Sequence, residues 1–147
     1  MLNILANTKK IEERQLDHLL QVAFDLQAIS RHDLALKVFE SAGTFARTVR
    51  QRRELLFWMG ESQISMGHYA HGADLFLQSA GVSGQQLDLW GQSARFRAAD
   101  ALVHAGLLED AFNVYGSLLI ESVDEKRKLQ LRQKLQSVNL LQSVSSE

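Results

Sequence analysis

The sequence of 147 residues contains neither cysteine nor proline. Without cysteine the chain has no disulfide bond, no thiolate nucleophile and no Cys-type zinc site. Without proline its helices can run without the breaks that this residue imposes, and most loops are expected to be short or built with glycine. The lack of cysteine does not identify the compartment, because cytosolic and periplasmic proteins can both do without it.

A strong excess of charge and a long apolar segment are also missing. Sixteen basic residues against 17 acidic ones give a formal net charge of −1, so we expect no long-range attraction to nucleic acid or to an anionic membrane. No run approaches the roughly 18 apolar residues of a membrane span. The lysines near the start follow the first apolar run, which is the reverse of a secretory signal. We predict a cytoplasmic protein with a single domain over 1–147.

Apolar residues recur at helical spacing along most of the chain, and no segment has the pattern of a strand. An S-x-x-E sequence at 122–125 predicts a capping box at the start of the last helix. Glycine marks loops at Gly67, at 81–84 and at Gly106. The fold class is therefore predicted to be all-α, with helices over 8–29, 33–46, 51–66, 69–80, 85–105, 107–120 and 123–142.

A pattern of small and aromatic residues recurs three times. In the second helix of each pair a small residue is followed four positions later by an aromatic one. In all three pairs 12 residues separate this small residue from another one in the preceding helix. Turn positions at Ser30, Gly67 and Gly106 are in register with it. Small residues let two helices approach closely, and stacked pairs bury the faces that a single pair leaves exposed. The small residues are Ala23 and Ala35, Gly60 and Gly72, and Ala99 and Ala111, and the aromatic ones are Phe39, Phe76 and Tyr115.

This pattern resembles the tetratricopeptide repeat (TPR), and the middle unit matches it best, with Gly60, Gly67, Tyr69, Gly72 and Phe76. The resemblance implies a right-handed α-α superhelix of three helical hairpins, with units at about 16–46, 53–80 and 92–120 and a capping helix at about 123–142. The units exceed the roughly 34 residues of the family, and its closing proline is absent. A generic helical-hairpin repeat is the alternative.

In this family the first helix of each pair lines a concave groove that binds a partner segment. Phe57 and Trp58 attract notice because exposed aromatic residues are common binding anchors, but one of the two is equally well explained as part of the core. Some members of the family bind the C-terminal carboxylate of a peptide through lysine, asparagine and arginine side chains. Among the corresponding positions of this chain only Arg97 has a suitable charge, so this mode of binding is disfavoured. The groove residues that the resemblance implies are Leu20, Phe24, Phe57, Trp58, Glu61, Ile64, Phe96, Arg97, Asp100 and His104.

No motif of catalysis or of metal binding accompanies these helices. His68 and His71 are three residues apart, but neither an H-E-x-x-H sequence nor a comparable set of ligands surrounds them. The chain also has no phosphate-binding loop of the G-x-x-x-x-G-K-[ST] form and no G-x-S-x-G elbow. We therefore expect neither enzymatic activity nor a metal or cofactor.

A protein-interaction module, acting as a scaffold or adaptor for a protein or peptide partner, is the leading functional hypothesis. The size and layout are also similar to type III secretion chaperones that escort translocator proteins. A third alternative is a structural or self-associating domain, for instance a homodimer that uses the region of Trp90. The four arginines of 47–53 are interpreted as a solvated or ion-paired surface, and neither a nucleic acid nor a membrane is predicted as a partner.

Overall fold

The structure is a computed structural model that describes residues 2–82 and 88–146, and within these ranges it contains α-helices and no strand. The all-α prediction is thereby confirmed. None of these helices is both long and apolar enough to cross a membrane. A short 3-10 helix at Gly43–Phe45 follows the second helix. The helices are α1 (Leu2–Ala28), α2 (His32–Ala42), α3 (Val49–Ser65), α4 (Tyr69–Gly81), α5 (Leu89–His104), α6 (Leu108–Glu121) and α7 (Glu125–Ser145).

Several helix ends differ from the prediction. Helix α1 begins at Leu2. Its first turns are largely exposed, but they contain good helix formers such as leucine, alanine and lysine. Helix α2 ends at Ala42, where Gly43 starts the 3-10 turn, and α7 continues to Ser145. The predicted loop at 81–84 and the predicted start of the fifth helix fall largely on 83–87, outside the described residues.

Each helix packs against its neighbours along the chain, and the buried side chains form two clusters. The first joins α1, α2 and α3 around the fully buried Phe39. The second joins α4 to α7 around Phe76, Tyr115 and Leu131. The aromatic residues of the recurring pattern therefore lie at the centre of the core, where their large apolar surfaces stabilise most.

The three hairpin turns share one geometry. Ser30, Gly67 and Gly106 have φ angles of 61°, 80° and 78°, and they are the described residues with positive φ. The amide of Gly67 donates to the carbonyl of Ile64 at 2.9 Å and the amide of His68 to that of Gln63 at 2.9 Å, which is the Schellman pattern that ends a helix. Equivalent bonds occur at Ser30 and Gly106. The turns expected from the sequence are thus confirmed, and glycine adopts this conformation without the strain that a side chain adds.

The close approach of α3 and α4 at their glycines is also confirmed. A Cβ atom at Gly72 would lie 3.2 Å from the carbonyl oxygen of Gly60 and 2.5 Å from Cδ1 of Ile64. A Cβ atom at Gly60 would lie 2.9 Å from the ring of Phe76. The two helices pack this closely because neither residue has a side chain at the contact.

The capping box predicted at Ser122 is wrong. Ser122 ends α6, and its hydroxyl donates to the carbonyl of Leu118 at 2.7 Å. Asp124 is the residue that precedes α7, and its carboxylate accepts from the amide of Lys126. An S-x-x-E sequence forms the box only when the serine directly precedes the helix, and here an aspartate two residues later takes that position. A capping box does form at Thr48 and Gln51, at the start of α3.

Polar side chains join the odd-numbered helices, or the residues just before them, sideways at a nearly constant sequence separation. The bonds Arg47–Glu12, Gln27–Ser62, Arg53–Asp88, Arg97–Glu61 and Arg127–Gln92 connect residues 35 or 36 positions apart. An ion pair of 3.2 Å between Lys134 and Asp100 has nearly the same separation. Because early residues pair with early ones and late residues with late ones, α1, α3, α5 and α7 run in the same direction, side by side.

The Asp88 carboxylate makes one of these contacts sensitive to acid. It accepts from the amide of Gly91 at 2.8 Å and from Arg53 at 2.6 Å, and these bonds, led by the one from Gly91, hold the pKa of Asp88 below its usual value. A lowered pKa in the folded state contributes stability that is fully present above the unfolded pKa of about 3.9. This contribution is lost as the pH falls from there through the lower pKa of the folded state.

We therefore expect Asp88→Asn to melt below the wild type at pH 7 and to approach the wild-type Tm as the pH is lowered to 3. The reason is that the wild type alone loses the bonds of an ionised carboxylate. Thermal melts by circular dichroism between pH 3 and pH 7 check this. Asp17→Asn is the control, since Asp17 is exposed and makes no ion pair with any described residue. A constant difference in Tm across this range would contradict the expectation.

Candidate functional site

A groove of about 430 Å³ lies between α1 and α3, and we call it the α1–α3 groove. Its apolar side chains, which we call its floor, are Leu16, Leu20, Phe24, Leu55 and Trp58. Of these, the TPR resemblance implies Leu20, Phe24 and Trp58. Its volume falls within the range of about 300–1,000 Å³ that is usual for ligand pockets. The complete lining is Leu16, Asp17, Leu20, Phe24, Thr48, Arg50, Gln51, Glu54, Leu55 and Trp58.

The sequence did not single out the lining residues contributed by the first turn of α3. Thr48 and Gln51 were missed because a capping box there had not been recognised. The signal was present, since Thr-x-x-Gln is one form of that motif. Arg50 was interpreted together with its neighbouring arginines as part of a solvated surface. In the structure these residues end the groove at the start of α3.

The two adjacent aromatic residues of α3 have different roles. Phe57 is half-buried, and its ring lies 5.0 Å from that of Phe76 and 5.1 Å from that of Trp90. Trp58 keeps 36% of its surface exposed, and its ring meets Phe24 edge-on at 5.2 Å. The alternative that one of the pair belongs to the core thus describes Phe57. Trp58 is the aromatic residue that the groove presents to solvent.

Charged side chains surround the floor of the α1–α3 groove. Arg50 and Glu54 form an ion pair of 3.0 Å on the α3 side. Asp17 stands exposed on the α1 side and makes no ion pair with any described residue. Just before the start of α3, Arg47 donates to the Glu12 carboxylate at 3.1 Å. This hydrogen bond keeps the pKa of Glu12 below its usual value.

Glu61 and Arg97 join α3 to α5. The guanidinium donates to both carboxylate oxygens at 2.6 and 2.8 Å through Nη2 and at 2.9 Å through Nε. It also lies over the ring of Phe76, 5.3 Å from its centre. A bidentate ion pair of this kind fixes the relative orientation of the two groups. The charges of Glu61 and Arg97 are therefore already paired within the chain.

The remaining predicted groove residues lie elsewhere. Ile64 is directed at Gly72 of α4 and packs against the core. Phe96 meets the ring of Tyr115 at 5.8 Å and is covered by Lys134. The ring of His104 stacks on Tyr69 at 5.2 Å.

Asp100 and His104 share a second, smaller pocket of about 180 Å³ beside α7. The hydroxyl of Tyr115 donates to the Asp100 carboxylate, and Lys134 pairs with the same group. Burial, assisted by this carboxylate, raises the pKa of Tyr115. The Asp100 carboxylate is therefore already paired with groups of this chain.

Three of the four arginines in 47–53 are held by carboxylates of this chain, namely Arg47 by Glu12, Arg50 by Glu54 and Arg53 by Asp88. Arg53 also covers the ring of Trp90 at 5.4 Å. The indole of Trp90 donates to Ser79 at 2.9 Å. The polar and ring groups of Trp90 are therefore engaged by the chain itself, and Trp58 has the more accessible ring.

A wider depression of about 570 Å³ lies on the opposite side of α1, around Ile11, His18 and Leu19, with Phe45 beside it. It is shallower than the α1–α3 groove, and apart from α1 only the short 3-10 helix lines it, so we regard the α1–α3 groove as the better-formed site. Among the described residues, no three His, Asp or Glu side chains are placed to hold a metal ion. No protein-family model matches this chain, and no curated protein is significantly similar to it.

Proposed function

We propose that this chain is a TPR-like interaction module, built as a right-handed superhelix of three helical hairpins with α7 as the capping helix. The sideways contacts between the odd-numbered helices support this, because their separation of 35 or 36 residues is close to the roughly 34 residues of a TPR unit. The shared turn geometry at Ser30, Gly67 and Gly106 supports it as well.

The module binds a segment of a protein partner in the α1–α3 groove. The observation that carries this proposal is the exposure of Trp58 on an apolar floor with Leu20 and Phe24. Large aromatic side chains that lose their remaining exposed surface to a partner contribute much of the affinity at protein interfaces. Polar and charged side chains surround this floor, as they surround the apolar centre of known protein interfaces.

Replacement of Trp58 by alanine is expected to abolish capture of the partner and to leave the fold intact, because Trp58 is partly outside the core. The wild type and Trp58→Ala would each be immobilised, exposed to a lysate of the native host and compared by quantitative mass spectrometry. Leu77→Ala is the matched control, since Leu77 lies on α4 and is 37% exposed. Proteins retained equally by Trp58→Ala and the wild type would refute the groove as the binding site.

A further inference from the structure

We infer that a cleft between α2 and α3 binds a free amino acid with a large apolar side chain. The cleft has a volume of about 360 Å³, which lies within the range that is usual for small-molecule pockets. It shares Leu55 with the α1–α3 groove, but its other lining residues come from the end of α2, from the connection to α3 and from α3. We call it the α2–α3 cleft. Binding there goes beyond the proposed capture of a protein segment.

The floor of the α2–α3 cleft is apolar and belongs to the core. Phe39 is fully buried, and Leu55 and Ala46 keep only 7% and 9% of their surface exposed. Leu56 and Met59 are half-buried, so a ligand side chain placed on them removes further apolar surface from water. The thioether of Met59 also suits an aromatic ring, because contacts between sulfur and aromatic groups are favourable.

Two unpaired charges of opposite sign border this floor. Arg52 on α3 and Glu40 on α2 both line the cleft and are exposed, and neither makes an ion pair with any described residue. Arg52 is thus the exception among the four arginines of 47–53, since a carboxylate binds each of the other three. Lys37, three residues before Glu40, does not line the cleft and forms no ion pair with Glu40. The cleft therefore offers one cation and one carboxylate beside an apolar floor.

An amino acid in its zwitterionic form matches these three features together. Its carboxylate accepts hydrogen bonds from the guanidinium of Arg52, a planar group that suits a carboxylate. Its ammonium group donates to the carboxylate of Glu40, and its side chain covers the floor. A ligand with a single charge leaves either Arg52 or Glu40 without a partner, so the two charges together select the zwitterion.

Titration of isotope-labelled protein with L-phenylalanine, followed by two-dimensional NMR spectroscopy, tests the inference. We expect the amide signals of Gly43, Ala46 and Met59 to shift, since these residues line the cleft. Free glycine, which has both charges and no side chain, is the control and is expected to leave them unchanged. The inference would be overturned if neither L-phenylalanine nor L-leucine moved these signals at concentrations up to the solubility limit.

Two analogues of L-phenylalanine test the need for both ligand charges. Phenylpropionate lacks the ammonium group and phenylethylamine lacks the carboxylate. Each is expected to bind about tenfold more weakly than L-phenylalanine, which corresponds to the loss of one hydrogen-bonded charge. An analogue that bound as tightly as L-phenylalanine would show that the cleft does not select a zwitterion.

Two substitutions assign the charges to residues. Arg52→Gln and Glu40→Gln are each expected to weaken the binding of L-phenylalanine about tenfold. Arg52→Gln should leave the affinity for phenylethylamine unchanged, and Glu40→Gln that for phenylpropionate, because each variant removes a charge that the analogue does not use. Arg14→Gln and Glu13→Gln are the matched controls, since both residues are exposed on α1 and lie outside the cleft, and they are expected to alter Kd less than about twofold. Wild-type affinity for L-phenylalanine in either cleft variant would refute the assignment.

Discussion

Replacing Gly72 by leucine is expected to lower the free energy of unfolding by about 3 kcal/mol or more, the upper part of the range for overpacked cores. The first added atom would already lie 2.5 Å from Cδ1 and 2.8 Å from Cγ1 of Ile64, and 3.2 Å from the Gly60 carbonyl oxygen. The Ile64 side chain can turn away, but the backbone of α3 cannot move without separating the two helices. Urea unfolding followed by circular dichroism measures the loss.

Gly116 provides the control for this substitution. It lies inside α6, and a Cβ atom there would have no neighbour within 4 Å. Gly116→Ala is therefore expected to stabilise the protein by about 0.5–1 kcal/mol, through the better helix propensity of alanine, whereas Gly72→Ala should destabilise it. If both alanine variants shifted the unfolding midpoint in the same direction, the close contact of α3 and α4 would be disproved.

Replacing Tyr115 by alanine is expected to cost about 3–5 kcal/mol, as for other large buried aromatic residues. Tyr115 is 1% exposed, packs against Phe96 and lies in the cluster that joins α4 to α7. The substitution leaves a cavity at the place where α5, α6 and α7 meet. Differential scanning calorimetry would register a large drop in Tm or the absence of a cooperative transition.

The hydroxyl of Tyr115 can be tested separately. Tyr115→Phe keeps the ring and removes the bond to the Asp100 carboxylate, for which we expect a loss of about 1.5–3 kcal/mol, typical of a hydrogen bond to a charged group. Tyr69→Phe is the control, since Tyr69 is half-buried and its ring stacks on His104. A Tyr115→Phe variant as stable as Tyr69→Phe would show that the Asp100 contact adds nothing to the fold.

The distribution of charge partners could not be foreseen from the sequence. The TPR resemblance implies that Arg97 lines an open groove, whereas in the structure Glu61 binds it through both carboxylate oxygens. Asp100 is held by Tyr115 and Lys134. These partners lie on other helices. The sequence pattern does not show how the helices are aligned with one another, and this alignment is what brings the partners together.

The sequence by itself determined the helices, the three hairpin turns and the close contact at Gly60 and Gly72. These features depend on interactions over a few residues, on the freedom of glycine at positive φ and on the absence of a side chain where two helices touch. Tertiary structure alone decided that Trp58 faces the groove and Phe57 the core. Adjacent helical residues point about 100° apart, so the rotation of α3 against its neighbours determines which of two equally apolar side chains is presented to a partner.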